Sequence, residues 1–165
     1  MLNDTWAALT VLLKLSTMNL QNISEIIITY HPKFKASERP KITSSTDAFN
    51  IILNQWDNDI EYRESFAVLL LNRANKCLGI TFISKGGLSG TIADPKMIFQ
   101  AALKANASSI ILAHNHPSGN LKPSDNDIKL TKNIKNAGST LELPVLDHLI
   151  LSNDAYFSFA DESLL

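Results

Sequence analysis

Thiol is almost missing from this sequence: its one cysteine, Cys77, sits inside an apolar stretch. That excludes a disulfide framework and any four-cysteine zinc knuckle, and it fits a reducing compartment with Cys77 simply buried. An excess of one charge is missing too, since 15 Lys and Arg against 16 Asp and Glu leave a formal net charge of -1. The domain as a whole therefore has no electrostatic footprint for nucleic acid, and any such patch must be local. Lys129, Lys132 and Lys135 recur every third residue along one side of a predicted helix, which reads as a solvated face. There is no long hydrophobic run either. The apolar stretch from Trp6 to Leu13 is under about 10 residues and too short to span a bilayer. Asp4 stands where a secretory signal would carry positive charge, and no A-x-A-like cleavage site follows. The expected location is the cytoplasm, with no membrane partner.

Internal repeats, low-complexity tracts and long linkers are also lacking. What remains is near-average material, 45% hydrophobic and 19% charged with 6 Gly and 6 Pro, enough to bury a real core in one domain. Residues 1–23 are set apart as an N-terminal extension. It reads as an amphipathic helix, a partly disordered segment, or residues upstream of a start at Met18. Residues 24–165 form the single domain.

Within that domain the β-branched run EIIITY, residues 25–30, predicts a strand, and the Pro, Lys and Ser residues from His31 to Ser45 predict an exposed loop. Ser45 or Thr46 can cap a helix whose apolar positions Ala48, Phe49, Ile52, Leu53 and Trp56 form one stripe. The runs FAVLLLN and CLGITFIS, joined through Arg73 to Lys76, read as a hairpin. KGGLSGT then supplies a turn, or a flap over a cleft. Asp94 as N-cap with Pro95 behind it opens a second helix, ending near Asn106. SSIILA is the all-apolar signature of a central strand buried on both faces. A third helix is expected from Ser124 to about Ala137, stopped by Gly138. VLDHLILS and AYFSF close the chain as strands. The fold class is α/β (mixed α+β), a single mixed β-sheet flanked by helices.

The central strand runs directly into His114-Asn115-His116. In extended chain, alternate side chains share a face, so the two imidazoles point one way and Asn115 the other. Pro117-Ser118-Gly119 turns the chain, and the helix beginning near Ser124 can return Asp127 to the histidines. Two histidines, a carboxylate and an open fourth place make a catalytic zinc set, whereas structural zinc fills all four places with Cys and His. A bland reading stands beside this one. Ser124-x-x-Asp127 is also a capping box, which explains both residues without metal, and histidines at strand ends often satisfy backbone groups.

These residues carry a resemblance. His114-Asn-His116-Pro-Ser-Gly followed by Pro123-Ser124-x-x-Asp127 resembles the JAMM (JAB/MPN-type) metalloprotease motif, in the form found in bacterial RadC proteins. The likeness continues through Glu64-x-Phe66, Gly90-Thr91, the IFQAALKANAS helix, Asp147-His148-Leu149-Ile150 and a final Tyr-x-Ser-Phe, covering roughly Ser24 to Leu165. It implies a JAB/MPN-like (cytidine deaminase-like) architecture and one zinc ion per chain on His114, His116 and Asp127. It also implies that Glu64 acts on the bound water, that Ser124 helps to stabilise the tetrahedral intermediate, and that the substrate is a peptide or isopeptide-like amide. Glu61, three residues earlier, is the alternative to Glu64, which the family pattern favours because it immediately precedes a strand.

His148 invites a role as further ligand or as a group orienting one, against the plainer reading of a structural hydrogen bond. In a strand, only one of Asp147 and His148 can face the site. His31 has no implied role. A zinc nucleoside deaminase would need P-C-x-x-C, and an amidohydrolase barrel needs about 250 residues. The letters HNH alone do not make an HNH nuclease. Two other classes stand as alternatives: a non-catalytic MPN-like binding module, and an accessory protein in DNA repair or mobile-element metabolism. RadC proteins carry a DNA-repair label, but their N-terminal helix-hairpin-helix region has no counterpart in the short segment here, so direct nucleic-acid binding is poorly supported. The substrate's identity and the oligomeric state are not legible.

Overall fold

Two apolar runs and a tight turn begin the sheet. In the computed structural model, which describes residues 24–86 and 93–165, β1 (Ser65–Leu71) and β2 (Cys77–Lys85) pair antiparallel. Their turn is held by Asn72, whose side-chain oxygen accepts from the backbone N–H groups of Ala74 and Lys76, each at 2.9 Å. Asn75 takes φ 55 there, a left-handed conformation that asparagine tolerates better than most residues. The expected extension 1–23 and most of KGGLSGT lie outside the described residues.

On its other side β1 pairs antiparallel with β3 (Ser109–Asn115), and every residue of both strands is buried. β4 (Val145–Leu151) runs parallel to β3, and β5 (Tyr156–Ser158) closes the sheet in the order β2-β1-β3-β4-β5. The parallel pair needs a crossover, supplied by α3 (Asp125–Thr140). α1 (Ser45–Leu53) sets Ala48, Phe49 and Ile52 against one face, on Ala67, Leu69, Ile111, Ala113 and Leu149. α2 (Pro95–Lys104) and α3 cover the other with Ile98, Phe99, Ala102 and Ile134, on Phe66, Val68, Ile110 and Leu112. This is the mixed sheet flanked by helices that the sequence predicts. No helix among the described residues is long and apolar enough to cross a membrane. Lys129, Lys132 and Lys135 are all exposed, the solvated face expected of them.

Three local expectations change. Residues 25–30 form no strand: Ile26, Ile27 and Ile28 are 87%, 72% and 75% exposed, and the segment is tied through the Tyr30 hydroxyl, which donates to the Leu78 carbonyl at 2.9 Å. β-propensity describes fitness for a half-buried pleated surface, and here no neighbouring strand supplies one. The first helix is capped by Ser44 rather than Ser45 or Thr46, because Ser44 and Asp47 complete a reciprocal capping box. Gly138 does not stop α3. It lies buried inside the helix, where an added Cβ would come within 2.4 Å of the Leu143 carbonyl oxygen, so it serves close packing of the returning chain. The helix runs on to Thr140, with Glu142 at φ 54 just beyond it.

Candidate metal centre

Ile110 and Leu112 face α2 and α3, and the alternation of β3 carries His114 onto that same side. The Phe66 ring, opposite His114 in the ladder, lies nearly parallel to the imidazole with centroids 6.2 Å apart. His116 follows the strand end, its backbone N–H donating to the Leu151 carbonyl at 3.0 Å. A turn through Gly119, at φ 75, then folds the loop back over it. The Asn120 carbonyl ends 2.5 Å from His116 Nδ1. A carbonyl only accepts, so Nδ1 carries a hydrogen and Nε2 is the nitrogen left for a ligand.

Asp127 arrives from the first turn of α3. The capping box expected as a rival to metal binding is present: Ser124 donates to Asp127 Oδ2 from its backbone N–H at 2.7 Å and from its hydroxyl at 2.6 Å, and accepts from the Asp127 N–H at 3.2 Å. The two readings do not compete, because the carboxylate divides its oxygens. Oδ2 takes the cap while Oδ1 lies 3.3 Å from His114 Nε2. His114 Nε2 and His116 Nε2 are 3.0 Å apart, and His116 Nε2 is 3.8 Å from Asp127 Oδ2. One ligand atom from each of the three residues thus falls within 4.8 Å of the others. Two imidazole nitrogens and one carboxylate oxygen, with His116 Nε2 turned inward, fit a single divalent ion of the zinc type.

The electrostatics agree. Burial pushes the Asp127 carboxyl up, but the adjoining His114 ring and the hydrogen bonds from Ser124 outweigh it and hold the group well below the usual carboxylate range. Asp127 is therefore ionised at neutral pH. His148, fully buried, is held well below the ordinary imidazole value, first by burial and then by His114.

Several partners were not legible in the sequence. His148 and Asp147 do face opposite ways, and it is His148 that faces the site: it pairs with Leu112 across the parallel ladder, and its Nε2 lies 2.8 Å from His114 Nδ1. Its Nδ1 is 2.6 Å from the Thr131 hydroxyl, which also reaches the Asp127 carbonyl at 2.6 Å. Thr131 stands one helical turn after Asp127, a spacing that could have signalled the contact. Asp147, on the other face, accepts from the Ser158 hydroxyl at 2.6 Å and the Ala160 N–H at 3.0 Å, tying β4 to the chain after β5.

Glu64 sits half-buried just before β1, two residues from Phe66, the ladder partner of His114. Its segment is fixed by Asn115, the residue between the histidines. The Asn115 side chain accepts from the Ser65 N–H at 2.7 Å and donates to the carbonyls of Ile60 at 2.5 Å and Arg63 at 2.9 Å. Glu61 is exposed, beside a shallow cavity lined also by His116, Ser118, Asn153 and Asp154. The structure thus gathers His114, His116, Ser124 and Asp127 into one cluster, with Glu64 at the adjoining strand end and Glu61 on the cavity that His116 also lines.

Residues 42–164 match the family profile of the RadC-like JAB domain. Among curated relatives, a protein of Flavobacterium johnsoniae named UPF0758 is 46% identical over 124 residues, covering 75% of this chain and 53% of the relative. A UPF0758 protein of Porphyromonas gingivalis is 44% identical over 135 residues, covering 81% and 59%. A third, from Thermosynechococcus vestitus, is 52% identical over 98 residues, covering 59% and 39%. The chain spans about half the length of these relatives. The matched segment takes in His114, His116 and Asp127 and most of the chain, which therefore belongs to the RadC-like JAB domain family.

Proposed function

We propose that this domain is a JAMM-type hydrolase that holds one zinc ion on His114, His116 and Asp127 and cleaves a peptide or isopeptide-like amide. The observation that carries the reading is the convergence of the three donor atoms within 4.8 Å, with the His116 Nδ1 hydrogen committed to the Asn120 carbonyl. Zinc there would lower the pKa of a water from about 16 towards about 7 and polarise the scissile carbonyl.

The chain's own residues supply the rest. Glu64, at the end of β1, takes the proton of the attacking water and hands it to the departing amine. The Ser124 hydroxyl, directed at Asp127 Oδ2 in the resting site, turns from that oxygen to donate to the developing oxyanion, a contact worth on the order of 3 kcal/mol where such donors have been removed in other enzymes. Asn115 keeps the Glu64 segment against β3 throughout. The peptide or isopeptide character of the bond comes from the family, as does zinc in preference to another divalent ion.

The test measures metal content in wild type, His116→Ala and Glu64→Gln, then turnover on peptide and isopeptide libraries. Wild type is expected to retain about one zinc per chain, His116→Ala to lose it, and Glu64→Gln to keep metal while losing cleavage. Stoichiometric zinc in His116→Ala refutes the ligand assignment, and cleavage indifferent to a chelator refutes the mechanism. Retained cleavage in Glu64→Gln, with loss in Glu61→Gln, moves the proton transfer to Glu61.

A further inference from the structure

We propose that His148 and Thr131 are positioning residues that hold the His114 hydrogen on Nδ1, so that Nε2 is the nitrogen left to face His116 and Asp127. The purpose of this device rests on the metal-site reading above. Its geometry does not.

The deduction starts from a group that cannot change roles. The Asp127 carbonyl only accepts, and the Thr131 oxygen lies 2.6 Å from it. Thr131 has one hydroxyl hydrogen, and any other use of it would leave two oxygens facing each other at that distance. The hydrogen therefore goes to the Asp127 carbonyl, and Thr131 meets His148 Nδ1, also at 2.6 Å, as an acceptor. A neutral His148 that donates from Nδ1 has a bare Nε2. That nitrogen lies 2.8 Å from His114 Nδ1, so the bond exists only if His114 carries its hydrogen on Nδ1. Nε2 is then the His114 nitrogen left for a ligand, 3.0 Å from His116 Nε2 and 3.3 Å from Asp127 Oδ1.

Every link runs in one direction, from a helix backbone through a hydroxyl and one imidazole to the ligand. His148 and Thr131 are 0% and 2% exposed, so water cannot substitute for either partner. The chain also closes on itself, because Thr131 bonds to the backbone of Asp127, another proposed ligand. Sliding of α3 against β4 would therefore disturb Asp127 and the His114 tautomer together. A histidine that merely filled the core between Phe66 and Phe159, whose rings lie 5.7 Å and 4.8 Å from its own, would need no such directed chain.

The experiment uses three variants and two readouts. His148→Phe keeps an aromatic ring but removes the acceptor, His148→Gln can restore an acceptor near the Nε2 position, and Thr131→Val removes the group that orients His148. Zinc affinity is measured by competition with a chromophoric chelator. The His114 tautomer is read by long-range proton–nitrogen NMR on the metal-free protein, with folding checked by circular dichroism. Wild-type His114 is expected in the Nδ1–H form. His148→Phe should bind zinc about 10- to 100-fold more weakly, the usual loss when a group behind a ligating histidine is removed, and should populate the Nε2–H form. Thr131→Val should fall between, and His148→Gln should recover both readouts.

A wild-type His114 with no hydrogen on Nδ1 overturns the proposal. So does wild-type zinc affinity in folded His148→Phe, or, should that variant fail to fold, in Thr131→Val. A folded His148→Gln as weak as His148→Phe also overturns it, since only the acceptor distinguishes them. If wild type takes up no zinc, the metal-site reading fails and the purpose of the relay fails with it, while the tautomer measurement on metal-free protein still decides the hydrogen-bond chain.

Discussion

Replacing Asn115 with alanine should destabilise the fold while leaving His114, His116 and Asp127 in place. Asn115 is fully buried and uses its whole amide, accepting from Ser65 and donating to Ile60 and Arg63. Truncation leaves three backbone groups without these partners, at about 1–3 kcal/mol for each that stays dry. The Ile60–Ser65 segment lies near the surface, where Arg63 is half-exposed. Water can therefore reach part of it, and the loss should be roughly 3–5 kcal/mol rather than the ceiling of about 9. For a domain of this size each kcal/mol shifts Tm by about 2–4 °C, so a drop of roughly 6–20 °C is expected. The assay is thermal unfolding of chelator-stripped protein by circular dichroism, followed by zinc titration at a temperature where both forms are folded. Zinc stoichiometry should be unchanged, because Asn115 points to the face opposite the histidines. A Tm within about 2 °C of wild type would refute the bracing role. Loss of zinc from the folded variant would refute the division of the strand into two independent faces.

Gly138→Ala should cost about 1–3 kcal/mol in urea unfolding, through overpacking against the Leu143 carbonyl, although alanine is the better helix former by about 1 kcal/mol; a stabilised variant would show that the chain yields at that contact. Ser124→Ala removes the N-cap of α3 and should lose about 1 kcal/mol, together with weaker zinc binding by chelator competition as Asp127 loses a hydrogen bond; unchanged affinity would separate the cap from the ligand. His148 is held below the ordinary imidazole value, first by burial and then by His114, so it takes a proton more readily in the unfolded chain. Its contribution to stability is complete above about pH 6.5 and declines below, with a loss of about 1 kcal/mol between pH 7 and pH 5.5. Urea melts of metal-free protein should show that loss in wild type and a shallower one in His148→Gln, and identical slopes would refute the assignment.

Much of the site was legible because it depends on short-range periodicity. The alternation of an extended strand separates His114 and His116 from Asn115, and the capping spacing places Ser124 and Asp127 on the first turn of a helix. The sequence also showed that only one of Asp147 and His148 could face the site. Which one does so depends on the register between β3 and β4, where Leu112 meets His148, and that register is set by packing between residues 36 positions apart. The partners of Asn115 were hidden for the same reason, since Ile60 and Arg63 lie some fifty residues upstream. Residues 25–30 have the composition of a strand, but a strand is a property of a pair, and no ladder forms there. Gly138 was read as a helix stop because its role, accommodating the Leu143 backbone, depends on where the chain goes afterwards.

The back-to-back arrangement at the end of β3 bears on how this stretch tolerates changes of length. Val, Ile and Leu can exchange within Ser109–Ala113 at modest cost so long as volume is kept. Loss or gain of one residue there reverses which side chain meets which face: Asn115 would turn towards Asp127, and a histidine towards the carbonyls of Ile60 and Arg63. Neither can do the other's work, because the imidazole cannot bridge two acceptors and a backbone donor as the amide does, and the amide is a poor ligand. A deletion scan should therefore find this segment permissive to composition and closed to indels, including at apolar positions that touch none of His114, His116 and Asp127.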